Sequence, residues 1–158
     1  VLATAGGPDK VARCLELGAA EAYDYRAGDF VDLVKDATGG RGADVIVDPV
    51  GGDVFDGSRR CVAWEGRIVV MGFAGGRVAD APTNHLLVKN YSVVGIHWGG
   101  YRTRDPALVH ECHWALLDLY ADGHIRPLVS AVRPFEEAAQ ALADLTGRAT
   151  TGKVVIRA

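Results

Sequence analysis

The sequence predicts an α/β protein built on a parallel sheet, and three observations lead there. Apolar, β-branched runs alternate with stretches of helical periodicity along the whole chain. The runs ADVIVD and GRIVVMG carry consecutive apolar residues, the pattern of strands covered on both faces. Glycine pairs recur where such runs end, in TAGG, DPVGG, GFAGG and IHWGG. Glycine lets backbone approach a ligand closely or take positive φ.

Taken in order, Val1 to Ala5 reads as a strand, Gly6-Gly7 as a turn and Pro8 as the first turn of a helix ending at Gly18. Val11, Cys14 and Leu15 recur on that helix at helical spacing. EAYDY is a short strand. DFVDLVKDATGG is a helix, with Asp29 placed to cap it and Gly39-Gly40 to end it. ADVIVDPVGG is a buried strand, DVFDGSRRCVAW a helix and GRIVVMGFAGG another buried strand. TNHLLVKN is a short helix and YSVVGIHWGG a further strand. A long helix starts at Asp105-Pro106 and closes at Gly123, with Leu108, Cys112, Ala115 and Leu119 on an inward stripe. The tail holds PLVSAV, a helix begun by RPFEEAAQAL, and the strand GKVVIRA. Such alternation implies βαβ units.

Composition narrows the function. With 158 residues, 49% of them hydrophobic and 23% charged, the chain has the make-up of a soluble globular domain. A net charge of −3 argues against nucleic acid and anionic membrane surfaces as partners. No apolar run approaches a membrane span, and no charged-then-apolar stretch of the signal-peptide kind is read in these residues. Cys14, Cys61 and Cys112 are odd in number and far apart, which suits reduced thiols in a cytoplasmic protein. The chain begins at Val1 inside an apolar run, so a fragment of a longer protein is expected.

Ligands of open α/β sheets bind beyond the carboxyl ends of the strands, and the glycine pairs together point to a crevice there. NAD-binding folds usually place an acid at the end of the second strand, for the ribose 2′-hydroxyl. Here Thr4, Ala5 and Gly6 are neutral and Lys10 follows one turn later. A cation beside helix N–H groups suits a 2′-phosphate, which favours NADP over NAD. HECHW misses the H-E-x-x-H spacing, and His110 and His113 fall on the outer side of their helix, so no metal is expected. Asp48 reads as an acceptor for backbone N–H groups, and His97 as a packed histidine near a sheet edge. The cofactor itself carries hydride chemistry, so no catalytic side chain is nominated.

The stretches ELGAAEAYDYRAGDF, TGGRGADVIVDPVGGDVF, GRIVVMGFAGG, NYSVVGIHW and ATTGKVVIRA resemble the cofactor domain of the medium-chain dehydrogenase/reductase (zinc-binding dehydrogenase) superfamily, most of all its zinc-independent quinone oxidoreductase branch. The resemblance covers essentially the whole chain. It implies a Rossmann-like doubly wound parallel sheet lacking its first strand and glycine-rich turn, with VLATAGG as the second strand and a gap at the centre of the 3-2-1-4-5-6 order. It divides the chain into a partial dinucleotide-binding domain, 1–126, and a strand-helix-strand, 127–158, that returns toward a catalytic domain. It implies NADP(H) as cofactor, with Gly6 and Lys10 by the 2′-phosphate and Tyr25, more weakly Arg26, at the adenosine end. Val50 and Gly51 would pass under the dinucleotide. Gly72, Phe73 and Ala74 would approach the nicotinamide ribose, and Ile96, His97 and Trp98 would border the carboxamide. The implied activity of the full-length protein is hydride transfer from NADPH to a quinone or enone, this chain alone being inactive; the alternative is a nucleotide-binding or scaffold module without turnover. The edge strand Ser92 to Trp98 is the implied homodimer contact, since an exposed apolar edge needs a cover.

Overall fold

The computed structural model describes residues 1–158. The backbone forms two compact units, Val1–Trp98 and Gly99–Ala158. This division falls ahead of residue 126, where the sequence marks the returning strand-helix-strand.

The first unit runs β1 (Leu2–Ala5), α1 (Pro8–Glu16), β2 (Glu21–Asp24), α2 (Phe30–Ala37), β3 (Ala43–Asp48), α3 (Gly52–Cys61), β4 (Val62–Val70), α4 (Thr83–Lys89) and β5 (Ser92–Gly95). All pairings are parallel, and they form two groups, β1-β2 and β3-β4-β5. These are the two wings of a Rossmann-like doubly wound sheet, and no hydrogen-bonded pairing joins β1 to β3. Side-chain packing ties the wings together. Val31 and Val34 of α2 and Cys61 of α3 are buried as one cluster, and Leu2 of β1 and Ala43 and Ile46 of β3 pack against it. A second cluster, Phe55, Val62, Ile68 and Tyr91, joins α3, β4 and the approach to β5.

Local chemistry sets the helix ends. Asp29 Oδ1 accepts the Val31 N–H at 3.0 Å and opens α2. Thr38 Oγ1 donates to the Val34 carbonyl at 2.7 Å and accepts the Gly42 N–H at 2.9 Å, closing the same helix. The ammonium of Lys89 donates to the carbonyls of Arg59, Arg60 and Val62 at 3.0, 3.3 and 3.2 Å. It thereby satisfies the carbonyls at the end of α3.

Four sequence expectations change in this unit. The helix expected through Trp64 stops at Cys61, because Val62 turns into the core and Lys89 caps the last turn from another element. The next strand then starts early and bulges: Ala43 pairs with Val62, but Val45 pairs with Arg67. β3 is covered on one face only; Ile46 packs inward, whereas Val45 and Val47 are 50% and 59% exposed. A β-branched run signals a strand but not how many of its faces meet a helix. Finally, the expected edge strand Ser92 to Trp98 ends at Gly95, and Trp98–Gly100 is a single 3-10 turn.

The second unit holds α5 (Tyr101–Arg104), α6 (Pro106–Ala121), β6 (Val129–Pro134), α7 (Ala138–Thr146) and β7 (Lys153–Arg157), with β6 parallel to β7. Asp105 Oδ1 caps α6 through the Leu108 N–H at 3.0 Å, as the sequence predicts. The inward stripe of α6 does not form: Leu108 and Cys112 are half-buried, but Ala115 and Leu119 are exposed, because apolar residues ring the helix and no element of the unit covers one face. Arg133 of β6 pairs with Asp144 of α7 at 2.7 Å and ties helix to sheet.

Two outcomes are expected. Val31→Ala should cost about 2 kcal/mol in chemical denaturation, since two methyl groups leave a site with no solvent exposure. The Val31 N–H chiefly, and then Arg60, hold the Asp29 carboxyl below its ordinary pKa. Its contribution is therefore full above the usual carboxylate pKa, about 4, and is lost as pH falls through the lowered folded value. Asp29→Asn keeps an acceptor but does not titrate, so stability should fall less steeply than in the wild type below about pH 4. Parallel acid profiles would contradict this.

Candidate functional site

The carboxyl ends of the strands carry two clusters. The first lies where β1 and β2 end. Their register sets Ala5 beside Asp24, so the chain leaving β1 runs past the end of β2. Gly6 is buried, and a Cβ built on it would come within 2.5 Å of Tyr25 Oη, 2.8 Å of Tyr25 Cζ and 3.0 Å of Arg26 Nε. The phenol and the guanidinium thus lie on bare glycine backbone. Gly7, at φ 99°, is the N-cap of α1, and Lys10 is half-buried in the first turn.

The sequence reading missed Asp24 here. Its Oδ1 accepts the Gly7 N–H at 3.0 Å and the Arg26 N–H at 2.9 Å. These bonds, Gly7 first, hold its carboxyl below the ordinary carboxylate range. Of the helix N–H groups expected to serve a phosphate, the Gly7 amide is taken and Pro8 has none to offer. The bond to Arg26 is a local Asx turn and legible in Asp-Tyr-Arg. The bond to Gly7 needs the β1-β2 register and is not.

The second cluster joins the ends of β3 and β4. Met71, Ala74 and Gly75 donate backbone N–H bonds to the carbonyls of Asp48, Pro49 and Val50, at 2.9, 3.1 and 2.9 Å. Asp48 is buried, and its Oδ1 accepts from Val50 and Gly51 at 2.8 and 2.9 Å, the backbone-acceptor role read from the sequence. Oδ2 of the same carboxylate has no partner. Gly51, at φ 71°, precedes α3, and a Cβ there would meet Phe73 Cδ1 at 2.7 Å and the Arg77 carbonyl at 3.1 Å. Gly72 passes close to the Pro49 carbonyl. Val50, Gly51, Gly72, Phe73 and Ala74 therefore form one shelf, with the half-exposed Phe73 ring over Gly51.

Past β5, the Ile96 N–H donates to the Val70 carbonyl at 3.0 Å, which sets Ile96 beside the end of β4. His97 and Trp98 follow, both exposed. His97 is not the packed histidine expected, because the strand ends before it and no side chain covers it. The shelf offers backbone, apolar surface and one aromatic ring, and the first cluster offers cations and a phenol. Together they can hold an extended, anionic, partly aromatic ligand, but no nucleophile with an adjacent base lies among them. A second concavity at the starting ends of β3 and β4 is lined by four cations, three of them engaged: Arg41 by Asp44, Arg60 by Asp29 and Lys89 by three carbonyls, with Lys35 the fourth.

Residues 17–156 match the family model described as zinc-binding dehydrogenase. A quinone oxidoreductase-like protein 2 of Rattus norvegicus is 41% identical over 156 residues, covering 99% of this chain and 45% of its own length. The chain thus spans about half the length of the curated relatives it matches. Among solved structures, the Escherichia coli quinone oxidoreductase complexed with NADPH superposes with a TM-score of 0.90 at 29% identity, over 99% of this chain and 49% of that one. An NAD-dependent alcohol dehydrogenase superposes with a TM-score of 0.81 at 31% identity, over 100% and 43%. The family description speaks of zinc, yet no three His, Cys, Asp or Glu side chains gather anywhere in this chain. His110 Nε2 instead accepts the Trp114 indole N–H at 2.8 Å. These residues do not fit a zinc site. Matched along nearly its whole length and sharing the doubly wound fold, the chain belongs to the zinc-binding dehydrogenase family as a quinone-oxidoreductase-like domain.

Proposed function

We propose that this chain is the NADP(H)-binding portion of an enzyme that passes a hydride from NADPH to a quinone or enone. The observation that carries the reading is the end of β1: neutral, with Arg26 and the Tyr25 ring laid on Gly6 and Lys10 in the first turn of the helix that follows. Support comes from the quinone oxidoreductase-like name of the rat relative and from the NADPH in the bacterial structure of the same fold.

In this reading Lys10, Arg26 and Tyr25 take the adenosine end with its 2′-phosphate, and Gly6 leaves room for them. The shelf of Val50, Gly51, Gly72, Phe73 and Ala74 supports the dinucleotide with backbone that needs no reorganisation. Gly51 suits that place because a side chain there would drive into Phe73. Ile96, His97 and Trp98 border the nicotinamide. The cofactor supplies the hydride when bound; this chain's residues bind and orient it, and none acts as acid or base. A homodimer through the edge of β5, Ser92–Gly95, fits its unpaired backbone and the exposed Val94. No helix is long and apolar enough to cross a membrane. A cytoplasmic setting fits three free cysteines.

The test is turnover of the full-length polypeptide with 1,4-benzoquinone. NADPH should be used in preference to NADH. Lys10→Ala should raise the KM for NADPH about ten- to a hundredfold, the loss of one charge-assisted contact to phosphate, and leave NADH within about twofold. A wild-type preference for NADH sinks the assignment of Lys10. Tight NADPH binding without any quinone reduction would identify a nucleotide-binding module instead.

A further inference from the structure

The start of α1 already holds an anion, and it belongs to the chain. Asp24 Oδ1 occupies the Gly7 N–H, the N-cap amide. Pro8 contributes no donor, and Asp9 adds a second carboxylate in the first turn. Negative charge is favoured at a helix N-terminus, so Asp24 is stable where it stands. It also accepts the Arg26 N–H, and the Arg26 guanidinium reaches back over Gly6 and Gly7, with Nε and Nη1 at 3.0 and 3.7 Å from the Cβ positions those glycines lack. One carboxylate therefore does two things. It fixes the backbone on both sides of the pocket's floor, and it sets a negative charge among the cations.

We infer that Asp24 is a specificity-determining and positioning residue that limits the preference of this site for a 2′-phosphorylated adenosine. The inference rests on the cofactor reading above and deepens it. A phosphate approaching Lys10 and Arg26 gains their charge but also meets the Asp24 carboxylate, which is ionised at neutral pH because two backbone amides stabilise the charged form. A ligand ending in a plain 2′-hydroxyl meets no such opposition. Asp24 thus narrows the gap between the two ligands while holding the loops that bind both.

Positioning and charge separate by substitution. Asp24→Asn keeps an oxygen for the Gly7 and Arg26 amides and removes the charge. Asp24→Ala removes both, leaving two backbone N–H groups without their acceptor. The readout is calorimetric binding of 2′,5′-ADP and of 5′-AMP, probes that need only the adenosine end, to the full chain. Asp24→Asn should bind 2′,5′-ADP about three- to tenfold more tightly than the wild type and 5′-AMP within about twofold. The gain should shrink toward nothing in 1 M NaCl, where the Debye length is about 3 Å. Asp24→Ala should weaken both probes together. Wild-type binding of 2′,5′-ADP over 5′-AMP, with no gain in Asp24→Asn, overturns the role of Asp24 and leaves the cofactor reading standing. An equal shift for both probes in Asp24→Asn also overturns it, since a merely structural residue would act that way. A wild-type chain that binds neither probe overturns the cofactor reading and this inference with it.

Discussion

Within residues 1–158 the two wings of the sheet are joined by side-chain packing rather than by a backbone ladder. No backbone ladder joins β1 to β3. What joins them is α2, whose Val31 and Val34 lie buried with Cys61 against Leu2 on one wing and Ala43 and Ile46 on the other. The strand ends that build the two clusters belong to different wings, so their relation depends on this contact. Packing of this kind is non-directional but close-fitting.

Aspartate plays one part in three places. Asp24, Asp29 and Asp48 each accept the N–H of the residue two positions on: Arg26, Val31 and Val50. This Asx geometry replaces backbone hydrogen bonds at the moment the chain leaves a strand or enters a helix. Asp24 and Asp48 add a second amide, from Gly7 and Gly51. Each carboxylate thereby joins a turn to a glycine whose positive φ opens a helix. The loops around the candidate site are ordered by the chain's own charges, which makes those charges part of any ligand's surroundings.

The parts of the fold that depend on local spacing were readable in the sequence. The caps at Asp29 and Asp105, the proline starts of α1 and α6, and the parallel βαβ pattern all follow from neighbours within a few residues. What failed needed distant partners. The end of α3 at Cys61 depends on Lys89, some thirty residues on, reaching back to its carbonyls. The exposure of Val45 and Val47 depends on which faces of β3 meet a helix, and a β-branched run carries no record of that. At the site, the glycines and Lys10 stood out by type and position. Asp24 did not, because its place beside Gly7 follows from strand register.

Both clusters share one construction: an aromatic ring on a glycine that a side chain would displace. Tyr25 lies on Gly6 and Phe73 on Gly51, and a Cβ placed on either glycine would fall 2.5 or 2.7 Å from the ring side chain, closer than real side-chain contacts allow. The two glycines serve different needs. Gly51 has positive φ and could not carry a side chain without strain, whereas Gly6 owes its identity to space alone. A flat ring on bare backbone gives a wall that is apolar and rigid and loses little conformational entropy, with only two χ angles to restrain. Such walls suit a long planar-ended ligand that must be positioned rather than chemically attacked. That matches a site in which Asp24 and Asp48 are engaged by backbone amides and which holds no nucleophile and base in contact. In the reading proposed above, the chemistry of such a site resides in what it binds, and its selectivity in the few charges, Lys10, Arg26 and Asp24, that stand at one end.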